Sequence, residues 1–411
     1  MRRRVIDIRD YDHERDLPAV KRIWREVGWV SDERGEAQLD HFFAAGRTRV
    51  ALINGEPECS VNIVRGSVRL DATDLDLCAV TAVTTSRIAR GQSFALRLTA
   101  EQLHHAKTDM GAQVAALGIF DQGFYNKLGF GDGAYDHELT FDPAQLQVGP
   151  PPVTPPVRLT LKDSDRMQDA MIRRLRRHGA VCLLERENFR AELGFNEKAF
   201  GLGYEDADGA LSHFLWIDPE GERGPYRVLF SAYQTPHQLL ELFSVLKSLA
   251  DQVYSVRMLE PADVQLQSLL RRPFRHRALT NKGPHENSVR TAAWWQLRIL
   301  DLPSVVGSFS TPVPLRFQLL LTDPLCDHLS HGVGCHGDFI VNLGATSSIE
   351  AGTDTGLPLL TCDINAFTRL LFGIASAGSL ALTDNFRADE PLTSQLEKAI
   401  RLPRPVFGWD F

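Results

Sequence analysis

The sequence predicts an α/β (α+β) protein of more than one domain. Three observations lead there: 411 residues, apolar stretches that switch between strand-like and helix-like spacing, and a run of prolines near residue 150. A single core stops growing at about 250–300 residues, so this length calls for two or three units. Hydrophobic residues make up 43% and charged residues 24%, the balance of a soluble globular chain.

The elements before the prolines come in mixed order. Val5 to Ile8 alternates as a short strand and Leu17 to Val27 carries helical spacing. Arg49 to Ile53, Cys59 to Leu70 and Leu77 to Thr85 read as strands, with Gly55-Glu56-Pro57 as a turn. Phe94 to Ala106 reads as a helix whose Phe94, Leu98, Leu103 and Ala106 share one face. Gln113 to Phe120 reads as a buried strand, and Gln122 to Leu128 as a short helix closed by Gly129. Such a succession builds a sheet with interleaved helices.

Gly149-Pro150-Pro151-Pro152-Val153-Thr154-Pro155-Pro156 lacks most backbone donors and reads as a stiff linker. A softer boundary falls at Asp301-Leu302-Pro303-Ser304, and no internal repeat is visible. The net charge of −7 argues against a nucleic-acid binder, which would show a basic face. No apolar run is long enough to span a bilayer, so no membrane partner is expected. Met1 to Arg4 is basic but leads into no apolar signal core, and six cysteines are few and scattered, so a reduced, cytoplasmic protein is expected.

The chemistry concentrates in two segments. In the first, Val80 to Thr85 is a strand running into Ser86-Arg87-Ile88-Ala89-Arg90-Gly91-Gln92-Ser93, which opens the helix at Phe94-Ala95. Unpaired amides at a helix start bind a pyrophosphate, the small Gly91 and Ser93 allow close approach, and Arg90 adds positive charge. A strand–loop–helix of this kind is common and proves little alone. The second segment is Phe120-Asp121-Gln122-Gly123-Phe124-Tyr125-Asn126-Lys127-Leu128-Gly129-Phe130.

Together the two segments resemble the GNAT superfamily of N-acetyltransferases. Its pyrophosphate loop reads Arg/Gln-x-x-Gly-x-Gly/Ala, and Arg90, Ser93 and Ala95 take those places, with Ser93 departing from the usual glycine. Its later Tyr-x-x-x-Gly-Phe matches Tyr125, Gly129 and Phe130. The whole chain is similar to the enhanced intracellular survival (Eis) family of bacterial acetyltransferases. The features that carry this are the segment ending in Trp294-Trp295-Gln296-Leu297-Arg298-Ile299-Leu300, the strands Pro314 to Leu321 and Leu359 to Ile364 with Asp363 as a helix N-cap, and the apolar end Trp409-Asp410-Phe411.

The resemblance implies tandem GNAT-like domains, catalytic over 1–148 and degenerate over 149–302, then a sterol-carrier-protein-like α+β domain over 303–411. It implies acetyl-CoA as acyl donor, a primary amine on an aminoglycoside, polyamine or lysine side chain as acceptor, direct transfer in a ternary complex, and a homo-oligomer such as the hexamer of that family. Cofactor contacts are then expected from Val83, Thr84, Thr85, Arg90, Gly91, Gln92, Ser93, Phe94, Ala95, Leu96, Phe120 and Asp121. Tyr125 would protonate the departing thiolate, for which a phenol near 10 is suited. The α-carboxylate of Phe411 would reach back to the site. An ordinary α-carboxyl near 3.5 is a weak base for an ammonium, so its more secure role is electrostatic. Val406-Phe407-Gly408-Trp409 is too apolar for solvent and is expected to dock. The middle segment shows neither GNAT motif and is expected to hold no cofactor.

Other signals carry less. Gly332-Val333-Gly334-Cys335-His336-Gly337 fits a dinucleotide pattern, but the strand-like Asp338 to Val341 follows where a helix is needed, so it reads as a hairpin turn. Cys326, His328, His331, Cys335 and His336 lie close in sequence, but their spacing matches no common zinc site, and no metal is expected. Asp32, Glu33 and Asp410 could draw a cationic substrate or simply be solvated. Rival classes are an apolar-ligand-binding protein and a non-catalytic acetyl-CoA sensor.

Overall fold

The computed structural model describes residues 6–119, 122–272, 286–329, 334–409 and 411. In chain order the first elements are β1 (Ile6–Asp10), α1 (His13–Val27), α2 (Glu33–Ala44), β2 (Arg47–Ile53), β3 (Glu56–Leu70), β4 (Thr73–Thr85), α3 (Phe94–Thr108), β5 (Val114–Gly118), β6 (Gly131–Asp132) and β7 (Asp136–Phe141). Then come β8 (Val157–Leu159), α4 (Ser164–Arg173), β9 (Val181–Leu183), α5 (Arg186–Gly194), β10 (Phe200–Glu205), β11 (Leu211–Pro219), β12 (Tyr226–Ala232), α6 (Pro236–Ser248), β13 (Val256–Leu259), β14 (Ser288–Ala292) and β15 (Trp295–Ile299). The last are α7 (Leu302–Gly307), β16 (Leu315–Thr322), β17 (Gly337–Leu343), β18 (Ser348–Ala351), β19 (Leu359–Asp363), α8 (Ile364–Leu371), α9 (Ala377–Thr383), β20 (Phe386–Arg387) and α10 (Glu390–Ala399). None of the described helices is long and apolar enough to cross a membrane.

The strands form three sheets, in the orders β1-β2-β3-β4-β5-β15-β6 with β9 added on β3, β14-β7-β13-β12-β11-β10-β8, and β18-β17-β16-β19-β20. The mixed α/β class expected from periodicity is the one observed. Before the prolines α1, β2, β3 and β4 end where expected but start two to four residues earlier than read, at His13, Arg47, Glu56 and Thr73. Asp12 caps α1 by accepting from the Arg15 amide, and Gly28 closes it in the left-handed region. Asp363 caps α8 as expected, accepting from the Ala366 amide at 2.8 Å.

Several elements differ from the sequence reading. α2 was not anticipated, and Asp32, read as following the first helix, is its N-cap, accepting from Gly35 at 2.7 Å. Gln122 to Leu128 forms only a 3-10 turn over Tyr125–Leu128, because Gly129 adopts φ +82° and stops it at once. Gly337 opens β17 and is not part of a turn, while 330–333 lie outside the described residues.

The sheets trade strands. β15, near residue 300, pairs antiparallel with β5 from Trp295–Gly118 to Ile299–Val114, and β7, before the prolines, pairs with β13 in the second sheet. The chain therefore crosses between the first two sheets at β7, returns to the first for β9, and crosses back to it finally at β15. Burial explains why: Trp295, Leu297 and Ile299 are buried in a core shared with Val114 and Ala116.

A buried ion pair joins the first sheet to the third. Arg298 on β15 and Asp323 after β16 have fully buried side chains and meet through two hydrogen bonds, of 3.0 and 2.6 Å. Burial alone would raise the Asp323 carboxyl; the charge and hydrogen bonds of Arg298 and the amides of Cys335 and Leu325 outweigh it and hold the group below the usual carboxylate range. Such a group stabilises the fold above the unfolded pKa near 4, and that contribution is lost as pH falls through the lower folded value. Asp323→Ala leaves a buried guanidinium unpaired, so chemical denaturation at neutral pH should show a loss of about 3 kcal/mol or more. The difference from the native protein should shrink in acid. An equal loss at every pH would contradict this account.

Candidate active site

The site grows from the parting of two parallel strands. β4 and β5 pair only from Leu77–Val114 to Ala79–Ala116, and beyond that register no ladder joins them. Ala82, at φ +52°, places a bulge in β4, where the β3–β4 register also shifts. On its other side β4 stays held by β3, with Ser60 and Thr84 hydroxyls 2.8 Å apart. The backbone of Val83, Thr84 and Thr85 is thus fixed from behind and open in front. Behind Thr85, burial pushes the Cys59 thiol up to about 12, an effect only partly offset by its bond to Thr85, so Cys59 supplies no thiolate there.

The loop after β4 ends at an unusual helix start. Gly91 sits at φ +75° and Ser93 at φ +58°, and the Ser93 side chain makes no capping bond to α3. The first-turn amides of a fifteen-residue helix are therefore left without a side-chain acceptor, the arrangement that binds anions. Arg90 is exposed beside them with no ion pair among the described residues. Gln92 departs from the expected set: its side-chain amide bonds the Ile88 carbonyl at 3.1 Å and is turned from the cleft.

Tyr125 is 93% buried, set edge-on to Phe124 at 4.9 Å and packed near Phe130 at 6.2 Å. Its turn is clamped from outside the first segment. Asn365 on α8 donates to the carbonyls of Asn126 at 3.0 Å and Phe130 at 2.8 Å, and Arg298 donates to the Leu128 carbonyl. A Cβ on Gly129 would run into the Arg298 guanidinium, which accounts for glycine at that place beyond its positive φ.

The tail docks. Trp409 is buried between Phe189 at 5.2 Å and Phe230 at 6.4 Å with the Arg174 guanidinium over its ring at 5.5 Å, and Phe407 stacks on Trp295 at 3.8 Å. The Val181 amide donates to the Phe407 carbonyl at 3.0 Å. This strapping leaves a Phe411 carboxylate oxygen 3.3 Å from where a Gly118 Cβ would stand, a tight fit that a side chain at the end of β5 would crowd.

One cleft of about 940 Å³ collects these parts: Val83, Thr84 and Thr85, then Arg90, Gly91, Ser93, Phe94, Ala95 and Leu96, then Tyr125 and Phe411. Phe120 and Asp121 lie outside the described residues, as does Asp410. Glu33 does not line the cleft; Asp32 does. Sequence reasoning missed an aromatic wall of Trp24, Trp29 and Phe42 from α1 and its neighbours, with Phe195 and Glu192 from the middle segment. A second cleft of about 480 Å³ opens on the face of the second sheet and shares Gly118, Ile119, Glu192 and Phe411 with the first. Among the described residues no cluster of three or more His, Cys, Asp or Glu could hold a metal ion.

Residues 7–133 match the family model of the acetyltransferase (GNAT) domain. Solved structures match across the whole chain, among them the following three. A protein from Enterococcus faecalis, described as a probable N-acyltransferase, is 15% identical with a TM-score of 0.80, covering 100% of both chains. A GCN5-related N-acetyltransferase from Kribbella flavida is 17% identical, TM-score 0.75, over 99% of both. Eis1 from Mycobacterium abscessus is 16% identical, TM-score 0.75, over 99% of this chain and 100% of its own. At these identities the likeness is one of fold. No curated protein matches the sequence.

Ser93 holds a left-handed conformation that costs a side-chain-bearing residue roughly 1 kcal/mol. Ser93→Gly should therefore bind coenzyme A at least as tightly as the native protein in calorimetry, and Ser93→Val, β-branched, more weakly. Equal affinity across the three would mean this backbone does not hold the cofactor.

Proposed function

We propose that this chain, whose first 130 or so residues are a GNAT acetyltransferase domain, transfers acetyl from acetyl-CoA to a primary amine in a ternary complex, without a covalent enzyme intermediate. The observation that carries the reading is the meeting in one cleft of the loop 90–96, Tyr125 and Phe411, drawn from three distant parts of the sequence. The residues present fit the donor: uncapped helix amides for a pyrophosphate, an open strand edge for a pantetheine arm, and a cleft within the roughly 300–1,000 Å³ typical of ligand sites.

When bound, acetyl-CoA supplies a thioester carbonyl for the amine to attack. On this reading the backbone around the Ala82 bulge offers an N–H to the oxygen that gains charge. The Tyr125 hydroxyl donates a proton to sulfur as the C–S bond breaks. The Phe411 carboxylate, with Glu192 and Asp32 lining the same cleft, attracts the cationic amine; the ammonium gives one proton to water, the neutral amine attacks, and the proton left on the nitrogen of the adduct, its charge stabilised by these carboxylates, also leaves to water. No thiolate is needed, in keeping with the raised Cys59.

The wider reading takes 1–148 as the catalytic GNAT domain, 149–302 as a degenerate GNAT-like domain without cofactor and 303–411 as a sterol-carrier-like domain. It places the protein in the cytoplasm as a homo-oligomer, for which light scattering should give more than one chain per particle. The acceptor is an aminoglycoside, polyamine or lysine side chain.

Thiol release from acetyl-CoA against a panel of polyamines and aminoglycosides tests the assignment. Tyr125→Phe should lower kcat by about a hundredfold or more with coenzyme A affinity unchanged. A few residues added after Phe411 should collapse turnover. Unaltered turnover on extension would remove Phe411 from the mechanism and keep the enzyme. Tight cofactor binding with no thiol release for any amine would replace it with a sensor.

A further inference from the structure

The second cleft has a charge layout that its position does not require. Its floor is the face of the second sheet on which Arg227 and Leu229 of β12, Arg257 and Leu259 of β13, Glu138 of β7 and Arg290 of β14 stand. Arg227 and Arg257 are direct partners across the parallel β12–β13 pair, so two guanidinium groups leave the sheet side by side. Like charges in that relation are unfavourable unless something neutralises them. Arg257 has Glu220 at 2.8 Å. Arg227 has no ion pair among the described residues; Asp218, its partner on β11, is not within salt-bridge distance. Arg290 reaches Glu138 only at 3.7 Å, is 65% exposed, and lies over the Trp294 ring at 5.9 Å.

The opposite end of this cleft is acidic. Glu192 and Phe411 line both clefts and so mark their junction. Ser231 lies four residues along β12 from Arg227, about 13 Å at the rise of a strand. Cations at one end and carboxylates at the other make a dipolar groove leading to the junction.

We propose that the amine acceptor is itself dipolar: it carries its reacting primary amine at one end and an anionic group, carboxylate or phosphate, at the other, and the anion is taken by Arg227 with Arg257 and Arg290. This rests on the acetyltransferase reading above but departs from the aminoglycosides and polyamines named there, which carry no distal anion. A long, purely cationic polyamine would bring its distal charge against the uncompensated Arg227; an amine with a distal anion replaces that repulsion with charge-assisted hydrogen bonds. Arginine suits either anion because its planar fork bonds two oxygens at once.

The test uses matched acceptors on the full-length protein at low salt: hexylamine, 6-aminohexanoate, 6-aminohexyl phosphate and cadaverine, read by thiol release. The expected result is a kcat/KM for one or both anionic acceptors about tenfold or more above hexylamine, as one or two charge-assisted bonds would give, and falling with added salt. The better of the two anions identifies the group. Arg227→Gln, exposed and outside the catalytic machinery, should bring that ratio near one while leaving hexylamine turnover unchanged. Turnover of hexylamine or cadaverine with no preference for the anionic acceptors, or a preference that Arg227→Gln and Arg290→Gln leave intact, overturns this inference alone. Absence of turnover with every amine overturns it together with the reading it rests on.

Discussion

The interaction on which the rest of the structure depends is the buried pair Arg298–Asp323. Arg298 spends its donors in two directions at once, on the Asp323 carboxylate and on the Leu128 carbonyl. The first joins a strand of the first sheet to the turn after β16, and the second seizes the turn that carries Tyr125. A guanidinium with no exposure must have its acceptors supplied by other elements, and here they come from two, the turn at Leu128 and the segment after β16. The placement of Tyr125 is therefore a property of the assembled chain. Its own four-residue turn could not hold it.

That dependence also explains what could be read in the sequence. The strand 80–85, the loop through Gly91 and the helix from Phe94 were legible because they are local: a β-rich run, small residues at a turn, and a 3.6-residue apolar spacing. Asp363 was legible for the same reason, as a cap acts within three residues. Arg298, Asn365, Glu192 and Phe195 were not, because their partners lie far off in sequence, 25 and 170 residues away for Arg298, and no spacing records such a partnership. α2 was overlooked because its apolar face is narrow; only Leu39, Phe42 and Phe43 are buried. The role of the strand at 295–299 was hidden similarly: its apolar character was plain, but its pairing with β5 has no local signature.

The tail shows how a few aromatic contacts aim a chain end. Phe407 on Trp295 and Trp409 between Phe189 and Phe230 tie it to β15, α5 and β12, elements of both the first and second sheets. Gly408, at φ +60°, turns the backbone between these two anchors. Rigid two-torsion side chains fix position at little entropic cost, so the last residue arrives where the two clefts meet. The same anchoring makes the clefts interdependent: a change in the middle segment at Phe189 or Phe230 bears on the lining of the larger cleft through the tail.

The exchange of strands between the sheets has a consequence for how the protein comes into being. β5 presents one edge to β4 and the other to β15, which lies about 175 residues further on. During synthesis at roughly 5–20 residues per second, that second edge waits on the order of ten to thirty seconds for its partner to emerge from the ribosome. An uncovered edge of Val114 to Gly118 is the kind of surface that pairs with a neighbouring nascent chain. The arrangement that lets a late segment grip the turn of Tyr125 thus leaves an early strand edge uncovered while the chain is being made.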